Sequence, residues 1–217
     1  SRIQLTEQLV EWAQATGQHF DIVLTGSAVG YYGGFDGADG RQAVSEDSPS
    51  GSDFSATLCR DWELAAEPLI DLSNRTVILR TGLVLGPNGG MLKRMWLPFQ
   101  MGLGGVIGSG QQVLSWIHMR DYCRAIDHIC DSDLRGAVNM TAPTPATNRQ
   151  FTKALGKALH RPTLFPMPTL VAKLAVGEMS ELLLQGQQAL PTQLQKSGFR
   201  YEYDDLGRAL EDIVSLW

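Results

Sequence analysis

Several hydroxyl groups follow a short apolar segment near the start of the chain. Residues 20–24 (Phe-Asp-Ile-Val-Leu) are mostly apolar and do not alternate with polar residues, which predicts a buried strand. Thr25, Gly26 and Ser27 come next, and we expect the chain to leave the sheet there. Ligands of open α/β sheets bind at the carboxyl ends of the strands, so these small hydroxyls could contact a ligand. A strand that leads into a glycine-rich surface loop explains the same residues.

Two tyrosines, Tyr31 and Tyr32, stand among glycines a few residues further on and could supply an acid or a base. A tyrosine with its ordinary pKa near ~10 is a poor acid or base at neutral pH. Aromatic packing within the loop is the competing explanation for each tyrosine.

The hydrophobic pattern then alternates between helices and strands. It predicts strands near 20–25, 76–79, 113–118 and 137–140, and a long loop over 26–52. Helices are predicted near 3–13, 54–69, 91–99, 121–129, 147–160, 169–175 and 204–215, with Thr147 to Gln150 as a capping box. Alternating strands and helices indicate an α/β fold with a largely parallel sheet.

Composition narrows the class of protein. The 217 residues carry a net charge of -5 with a pI near 5.3, which argues against a nucleic-acid-binding surface. No run approaches the roughly 18 apolar residues of a membrane span, so we expect no membrane partner. The cysteines, Cys59, Cys123 and Cys130, lack metal-ligand spacing, which predicts no metal site and favours a cytoplasmic location.

Four motifs resemble the YfcH-type epimerase family, an atypical branch of the extended short-chain dehydrogenases/reductases. They are Ser27-Ala28-Val29-Gly30-Tyr31-Tyr32-Gly33, Leu58-Cys59-Arg60-Asp61-Trp62-Glu63, Ser115-Trp116-Ile117-His118 and Gly177-Glu178-Met179. The resemblance covers essentially the whole chain. It implies a Rossmann-like, doubly wound parallel sheet in residues 1–165 and a small C-terminal substrate lobe in residues 166–217.

Family members begin with a strand and a Gly-x-x-Gly-x-x-Gly turn that holds the pyrophosphate of a dinucleotide. No such turn occurs in this sequence, which starts at the helix before the family's fifth strand. We therefore expect an N-terminal nucleotide-binding part, with its strands, to be missing from this chain.

The resemblance also assigns candidate site residues. Ser27 matches the catalytic serine, whereas Ser55 and Cys59 occupy the positions of the usual Tyr-x-x-x-Lys pair, and Tyr31 or Tyr32 could replace the lost hydroxyl. Arg2 matches an asparagine of the family's proton relay. The residues expected at the cofactor are Arg2, Thr25, Gly26, Ser27, Cys59, Thr81, Gly82 and Leu83. NADP is the expected cofactor, and NAD is the alternative.

Two further positions bear on the substrate and on catalysis. Leu114 stands where nucleotide-sugar epimerases place a diphosphate-binding arginine, which weakens the case for a nucleotide sugar. His118 and Asp121 could suggest a dyad or a metal site, but a strand end and a helix start explain them better.

The function expected from the resemblance is an NAD(P)-binding oxidoreductase or epimerase-like protein. Its partner would be an unidentified small-molecule substrate, and its assembly a homodimer. A dinucleotide-binding sensor or scaffold without turnover is the alternative, because the Tyr/Lys pair is lost.

Overall fold

Three parallel strands form the central sheet in the order β1 (Val23–Ala28), β3 (Thr76–Thr81) and β7 (Gly136–Met140). This computed structural model describes residues 2–34, 42–87, 89–164 and 186–217. The register places Ser27 beside Arg80, and Arg80 beside Asn139. These polar side chains therefore share one face of the sheet, since side chains along a strand alternate between its faces.

Helices cover both faces of this sheet, and the short strands form three separate two-stranded sheets. The helices are α1 (Arg2–Thr16), α2 (Phe54–Ala66), α3 (Gly90–Gln100), α4 (Met119–Asp131), α5 (Asn148–Ala158), α6 (Thr192–Lys196) and α7 (Leu206–Ser215). The short strands are β2 (Ala43–Val44), β4 (Leu83–Leu85), β5 (Val113–Leu114), β6 (Trp116–His118), β8 (Ala146–Thr147) and β9 (Gln188–Ala189). Strands β2 and β9 pair in parallel, as do β4 and β6, whereas β5 and β8 pair antiparallel. The predicted α/β fold with a parallel sheet is confirmed.

Several of the described helices begin at side chains that satisfy free N–H groups of the first turn. Asp53 accepts a hydrogen bond from the Ala56 N–H at the start of α2. Thr147 and Gln150 form the predicted capping box at the start of α5. On the sheet face opposite α2, Ala125 and Ile129 of α4 pack in one cluster with strands β3 and β7.

A second core lies beneath β4 and β6, where α3, α5 and α7 meet. Trp116 is fully buried there, and its indole N–H donates to the Thr144 carbonyl at 2.8 Å. Ile117 beside it is fully buried too. Both residues are therefore part of the structural core.

Three local predictions are wrong. Strand β1 does not end at Thr25 but runs to Ala28, with Gly26 paired to Leu79. Gly26 remains in the strand because the Trp62 ring packs where its side chain would be, so that an added Cβ would lie 2.9 Å from the ring. The predicted loop over 26–52 contains a 3-10 helix (Val29–Tyr32) and strand β2.

The predicted single strand over 113–118 is two strands that separate at Ser115. Its hydroxyl donates to the Gln187 carbonyl at 2.7 Å and accepts from the Ala189 N–H at 2.8 Å. These bonds to the C-terminal part of the chain end one strand and begin the next. Residues 83–85 form strand β4, which the sequence pattern did not predict.

The predicted helix over 169–175, the motif Gly177-Glu178-Met179 and the boundary at 165/166 lie outside the described residues. None of the described helices combines the length and the apolar character that a membrane crossing requires.

Replacing Trp116 by alanine should lower the free energy of unfolding by about 3–5 kcal/mol, because the change leaves a cavity in the core. Denaturant unfolding of wild type and variant measures this loss. Trp12→Ala, at a half-exposed position on α1, is the matched control and should lower the free energy of unfolding much less. A Trp116→Ala variant that keeps its melting temperature but loses ligand binding would place Trp116 in a binding site instead.

Candidate functional site

A cavity of about 620 Å³ opens at the carboxyl ends of β1 and β3. Ser27 and Thr81 lie at the ends of these strands, and α2 and β5 supply further parts of the wall. The lining residues are mainly apolar or small, and Arg2 is the one charged side chain among those that the structure describes. Such a cavity suits a largely uncharged, flat ligand that makes a few polar contacts.

Most residues predicted at a cofactor line this cavity. They are Arg2, Gly26, Ser27, Cys59, Thr81, Gly82 and Leu83. The exception is Thr25, which lies two residues before Ser27 on β1, is buried under α2, and is not part of this wall. Thr25 therefore lies in the packing between sheet and helix and away from this cavity, and its assignment to the cofactor stays a prediction.

The hydroxyl of Ser27 is held by a carboxylate. Its Oγ donates to Glu63 Oε1 at 2.6 Å across the interface between β1 and α2. Glu63 also accepts two bonds from the Arg80 guanidinium, one on each oxygen and each 3.0 Å long. The side chains of Arg80 and Glu63 are only 6% and 11% exposed. A bidentate pair of this kind is among the stronger charge-assisted contacts, and it fixes the carboxylate in place.

Both predicted tyrosines contact Arg80 rather than the cavity. The Tyr31 ring lies over the guanidinium, with its centroid 3.5 Å from Cζ. The Tyr32 hydroxyl accepts from Arg80 at 3.1 Å and donates to Asn139 at 2.7 Å. Neither tyrosine is part of the described cavity wall. The structure therefore does not place the two tyrosines in the cavity that Ser27 lines. Their contacts with Arg80 are structural.

The environment of these groups shifts their pKa values. Burial raises the pKa of the Tyr32 phenol above its usual value, and the neighbouring Arg80 only partly opposes this. Burial alone would lower the pKa of the Arg80 guanidinium. The hydrogen bonds to Glu63 and Tyr32 outweigh this effect, so that the pKa lies above its usual value. Tyr32 therefore stays neutral and Arg80 stays charged, which is the opposite of a tyrosine tuned for proton transfer.

Cys59 lies where the helix α2 meets the 3-10 turn. An added Cβ on Gly30 would lie 3.5 Å from Cys59 Sγ and 3.4 Å from Ser55 Cβ, so the turn and the helix are in close contact. Burial raises the pKa of the Cys59 thiol, while the Ala28 backbone and the Ser27 side chain lower it to a smaller extent. A neutral thiol at the lysine position supplies no cation.

The far wall of the cavity is apolar. Leu114 is almost fully buried and lines it together with Leu83 and Met91. Tyr122 adds a hydroxyl, which lies 3.4 Å from Thr81 Oγ1. The Leu114 side chain therefore contributes only apolar surface to this wall.

His118 and Asp121 are structural. His118 caps α4 by accepting from the Arg120 N–H at 3.1 Å, and burial lowers the pKa of its imidazole although the nearby Asp212 opposes this. Asp121 is fully buried and accepts the N–H groups of residues 202 and 203. These bonds attach the C-terminal segment to α4. Among the described residues, no three His, Cys, Asp or Glu side chains lie close enough to hold a metal ion.

Sequence reasoning missed Glu63 and Arg80. Glu63 was recognised only as part of a motif, and Arg80 was not singled out. One signal was available, because a charged residue at the end of an apolar strand requires a partner if it is buried. The identity of that partner depends on a contact between residues 17 positions apart and could not be read from the pattern.

The parallel sheet, its covering helices and the cavity at the strand ends define a Rossmann-type α/β protein. The solved UDP-glucuronic acid 4-epimerase from Bacillus cereus, in complex with NAD, shares this fold with a TM-score of 0.73 and 17% identity, covering 99% of this chain and 65% of that one. Residues 1–140 match the NAD dependent epimerase/dehydratase family, and residues 167–213 match a domain of unknown function (DUF1731). The chain belongs to the NAD dependent epimerase/dehydratase family.

Two relatives identify a branch of this family to which the chain is similar. An epimerase family protein of Mycobacterium bovis is 42% identical over 212 residues, which is 97% of this chain and 68% of the relative. The crystal structure of the human epimerase family protein SDR39U1 (isoform 2) with NADPH has a TM-score of 0.89 and 34% identity. That match covers 99% of this chain and 72% of the human chain. The resemblance to the epimerase family that the motifs predicted is confirmed.

Replacing Glu63 by alanine should lower the free energy of unfolding by about 3–5 kcal/mol, because Arg80 would be left as an uncompensated buried charge. Denaturant unfolding measures the loss. The control is Glu211→Ala, which removes an exposed partner 3.5 Å from Lys157 and should cost less than about 1 kcal/mol. Equal losses in the two variants would contradict the central role of the buried pair.

Proposed function

We propose that this chain belongs to an NADP(H)-binding oxidoreductase that acts on a small molecule, and that its cavity holds the nicotinamide end of the cofactor. The cavity at the ends of β1 and β3 is the observation that carries the proposal. The human SDR39U1 protein was crystallised with NADPH, and its fold matches 99% of the present chain. NADP is therefore the preferred cofactor, and NAD is the alternative, since the more distant neighbour from Bacillus cereus is in complex with NAD.

The residues present fit the nicotinamide and its ribose. Leu83 offers apolar surface for a flat ring, and Ser27 and Thr81 offer hydroxyl groups. Arg2 is the described lining residue that could contact an anionic group. When bound, the cofactor supplies hydride transfer. The chain's own residues bind and orient the two ligands and exclude water from the contact between them.

The proposed substrate is small, and it is not a nucleotide sugar. Leu114 and Met91 present only apolar side chains on this wall, and Arg2 is the one charged side chain among the described lining residues, so the charges of a diphosphate would be only partly compensated. An aliphatic or aromatic molecule with one oxygen function fits this wall better.

A non-catalytic sensor or scaffold is the second candidate. Ser55 and Cys59 line the cavity at the Tyr/Lys positions, so neither a tuned tyrosine nor an ammonium group is present there. Binding of NADPH without oxidation in the presence of a panel of carbonyl compounds would favour this candidate. The cytoplasmic location and the homodimer stay predictions.

Binding of NADPH to the full-length protein that carries this chain should be measurable by isothermal titration calorimetry. Cys59→Ser should leave the dissociation constant within a few fold, because the thiol contributes no charge.

A bulky maleimide on Cys59 should abolish binding by occupying the cavity. The label is best directed by replacing the exposed Cys123 and Cys130 with serine, and by raising the pH, because burial raises the pKa of the Cys59 thiol.

Unchanged NADPH affinity after stoichiometric labelling of Cys59 would show that the cofactor lies elsewhere. The double variant without label is the control, and it should bind NADPH as the wild type does.

A further inference from the structure

The single proton of the Ser27 hydroxyl is already assigned. Ser27 Oγ lies 2.6 Å from Glu63 Oε1, and a carboxylate oxygen can only accept. The hydroxyl therefore donates to Glu63, and a charge-assisted bond of this length is stronger than a bond between neutral groups. Only the lone pairs of Ser27 Oγ remain available to a ligand in the cavity that Ser27 lines.

Glu63 cannot turn away to release that proton without breaking other contacts. Each of its oxygens accepts a bond from Arg80 at 3.0 Å. Arg80 is held in turn by the Tyr32 hydroxyl, by the Glu46 carbonyl at 3.2 Å and by the Tyr31 ring. An arginine does not lose its proton in a protein, so the carboxylate faces a permanent cation. The orientation of the Ser27 hydroxyl is thus set by a rigid network behind it.

We propose that Ser27 acts toward the cavity as a hydrogen-bond acceptor, and that the site selects a ligand hydroxyl over the corresponding carbonyl. A hydroxyl can donate to Ser27 Oγ while Ser27 keeps its bond to Glu63. A carbonyl oxygen only accepts, so it would meet the lone pairs of Ser27 or take the proton away from Glu63. Glu63 is a positioning residue in this arrangement, because it acts on the ligand only through Ser27.

The thiol beside Ser27 does not reverse this preference. The Cys59 thiol is the neighbour of Ser27 in the wall, and burial raises its pKa so that it stays neutral. A neutral thiol is a weak donor and a weak acceptor, and it competes poorly with an alcohol. The substrate class that follows is a small alcohol with an apolar body. This inference rests on the proposed function for the identity of the cavity as the substrate-side site.

The test compares two probes of nearly equal shape, cyclohexanol and cyclohexanone. Both are titrated into the full-length protein saturated with tetrahydro-NADP, a cofactor analogue that cannot transfer hydride, and binding is followed by ligand-observed NMR. We expect cyclohexanol to bind at least about tenfold more tightly, since a carbonyl would deprive the carboxylate of a charge-assisted hydrogen bond. Equal affinities, tighter binding of cyclohexanone, or no detectable binding of cyclohexanol would overturn the proposal.

Three variants separate this role from a purely structural one. Ser27→Ala should bring the ratio of the two dissociation constants close to one, because the acceptor is gone. Glu63→Gln should lower or invert the ratio, because an amide N–H can donate to Ser27 Oγ and release the serine proton toward the cavity. Ser197→Ala, whose hydroxyl donates to the Leu194 carbonyl on α6, is the control and should keep the wild-type ratio.

Failure of this inference differs from failure of the proposed function. If calorimetry shows no binding of NADPH to the wild type, the proposed function is wrong. If NADPH binds and the alcohol preference is absent, only the acceptor role of Ser27 is wrong. Circular dichroism checks the fold of each variant, and the comparison between wild type and Ser27→Ala is sufficient should Glu63→Gln fail to fold.

Discussion

The buried ion pair between Arg80 and Glu63 is the contact on which the arrangement of the site depends. Taking two charges out of water is unfavourable unless every remaining donor and acceptor finds a partner. The chain meets this requirement with Ser27 on the carboxylate, with the Tyr32 hydroxyl and the Glu46 carbonyl on the guanidinium, and with the Tyr31 ring over it. The pair therefore joins β1, β3, α2 and the 3-10 turn at one point.

The consequences reach the cavity. Because Arg80 holds the Glu63 carboxylate in place, Glu63 in turn holds the Ser27 hydroxyl at the end of β1, where Ser27 lines the cavity. Close packing completes the wall, since Gly30 lets the turn approach α2 and Gly26 makes room for Trp62. An added Cβ on Gly82 would clash with the Ser115 carbonyl oxygen, so the exit of β3 can approach the break between β5 and β6 only with glycine at this position. The cavity is thus a product of the sheet's geometry and of a polar network on one of its faces.

This network gives the site a chemistry unlike that of a tyrosine and lysine pair. Burial keeps the Tyr32 phenol and the Cys59 thiol neutral by raising the pKa of each, and Arg80 is occupied by Glu63 and Tyr32. Among the described residues, the anion in hydrogen-bond contact with the cavity wall is Glu63, which acts through Ser27. This site offers a ligand hydroxyl the lone pairs of Ser27, and it does not lower the pKa of Tyr32.

The sequence was sufficient for the class of fold, because periodicity and capping are local properties. The capping box at Thr147 and the apolar strand β3 follow directly from neighbouring residues. The extension of β1 through Gly26 could not be predicted, because it depends on Trp62 packing from another element. The break at Ser115 depends on residues 187 and 189 in the same way.

The residues that line the cavity could be predicted from the resemblance, but the hydrogen bonding of Ser27 could not. The resemblance placed Ser27, Cys59, Thr81 and Gly82 together, and the structure brings them to one cavity. It gave no indication that the serine proton is bonded to Glu63, since that depends on the orientation of side chains across two elements. Tyr31 and Tyr32 looked like replacement hydroxyls because of their position after the strand, yet the fold directs them to Arg80.

A crystal structure of the full-length protein with NADPH tests the account most directly. The account predicts the nicotinamide ring in the cavity at the ends of β1 and β3, with Ser27 Oγ still in hydrogen-bond contact with Glu63 and Glu63 still paired to Arg80. A cofactor bound elsewhere, or a Ser27 hydroxyl turned from Glu63 to the nicotinamide carboxamide, would contradict it.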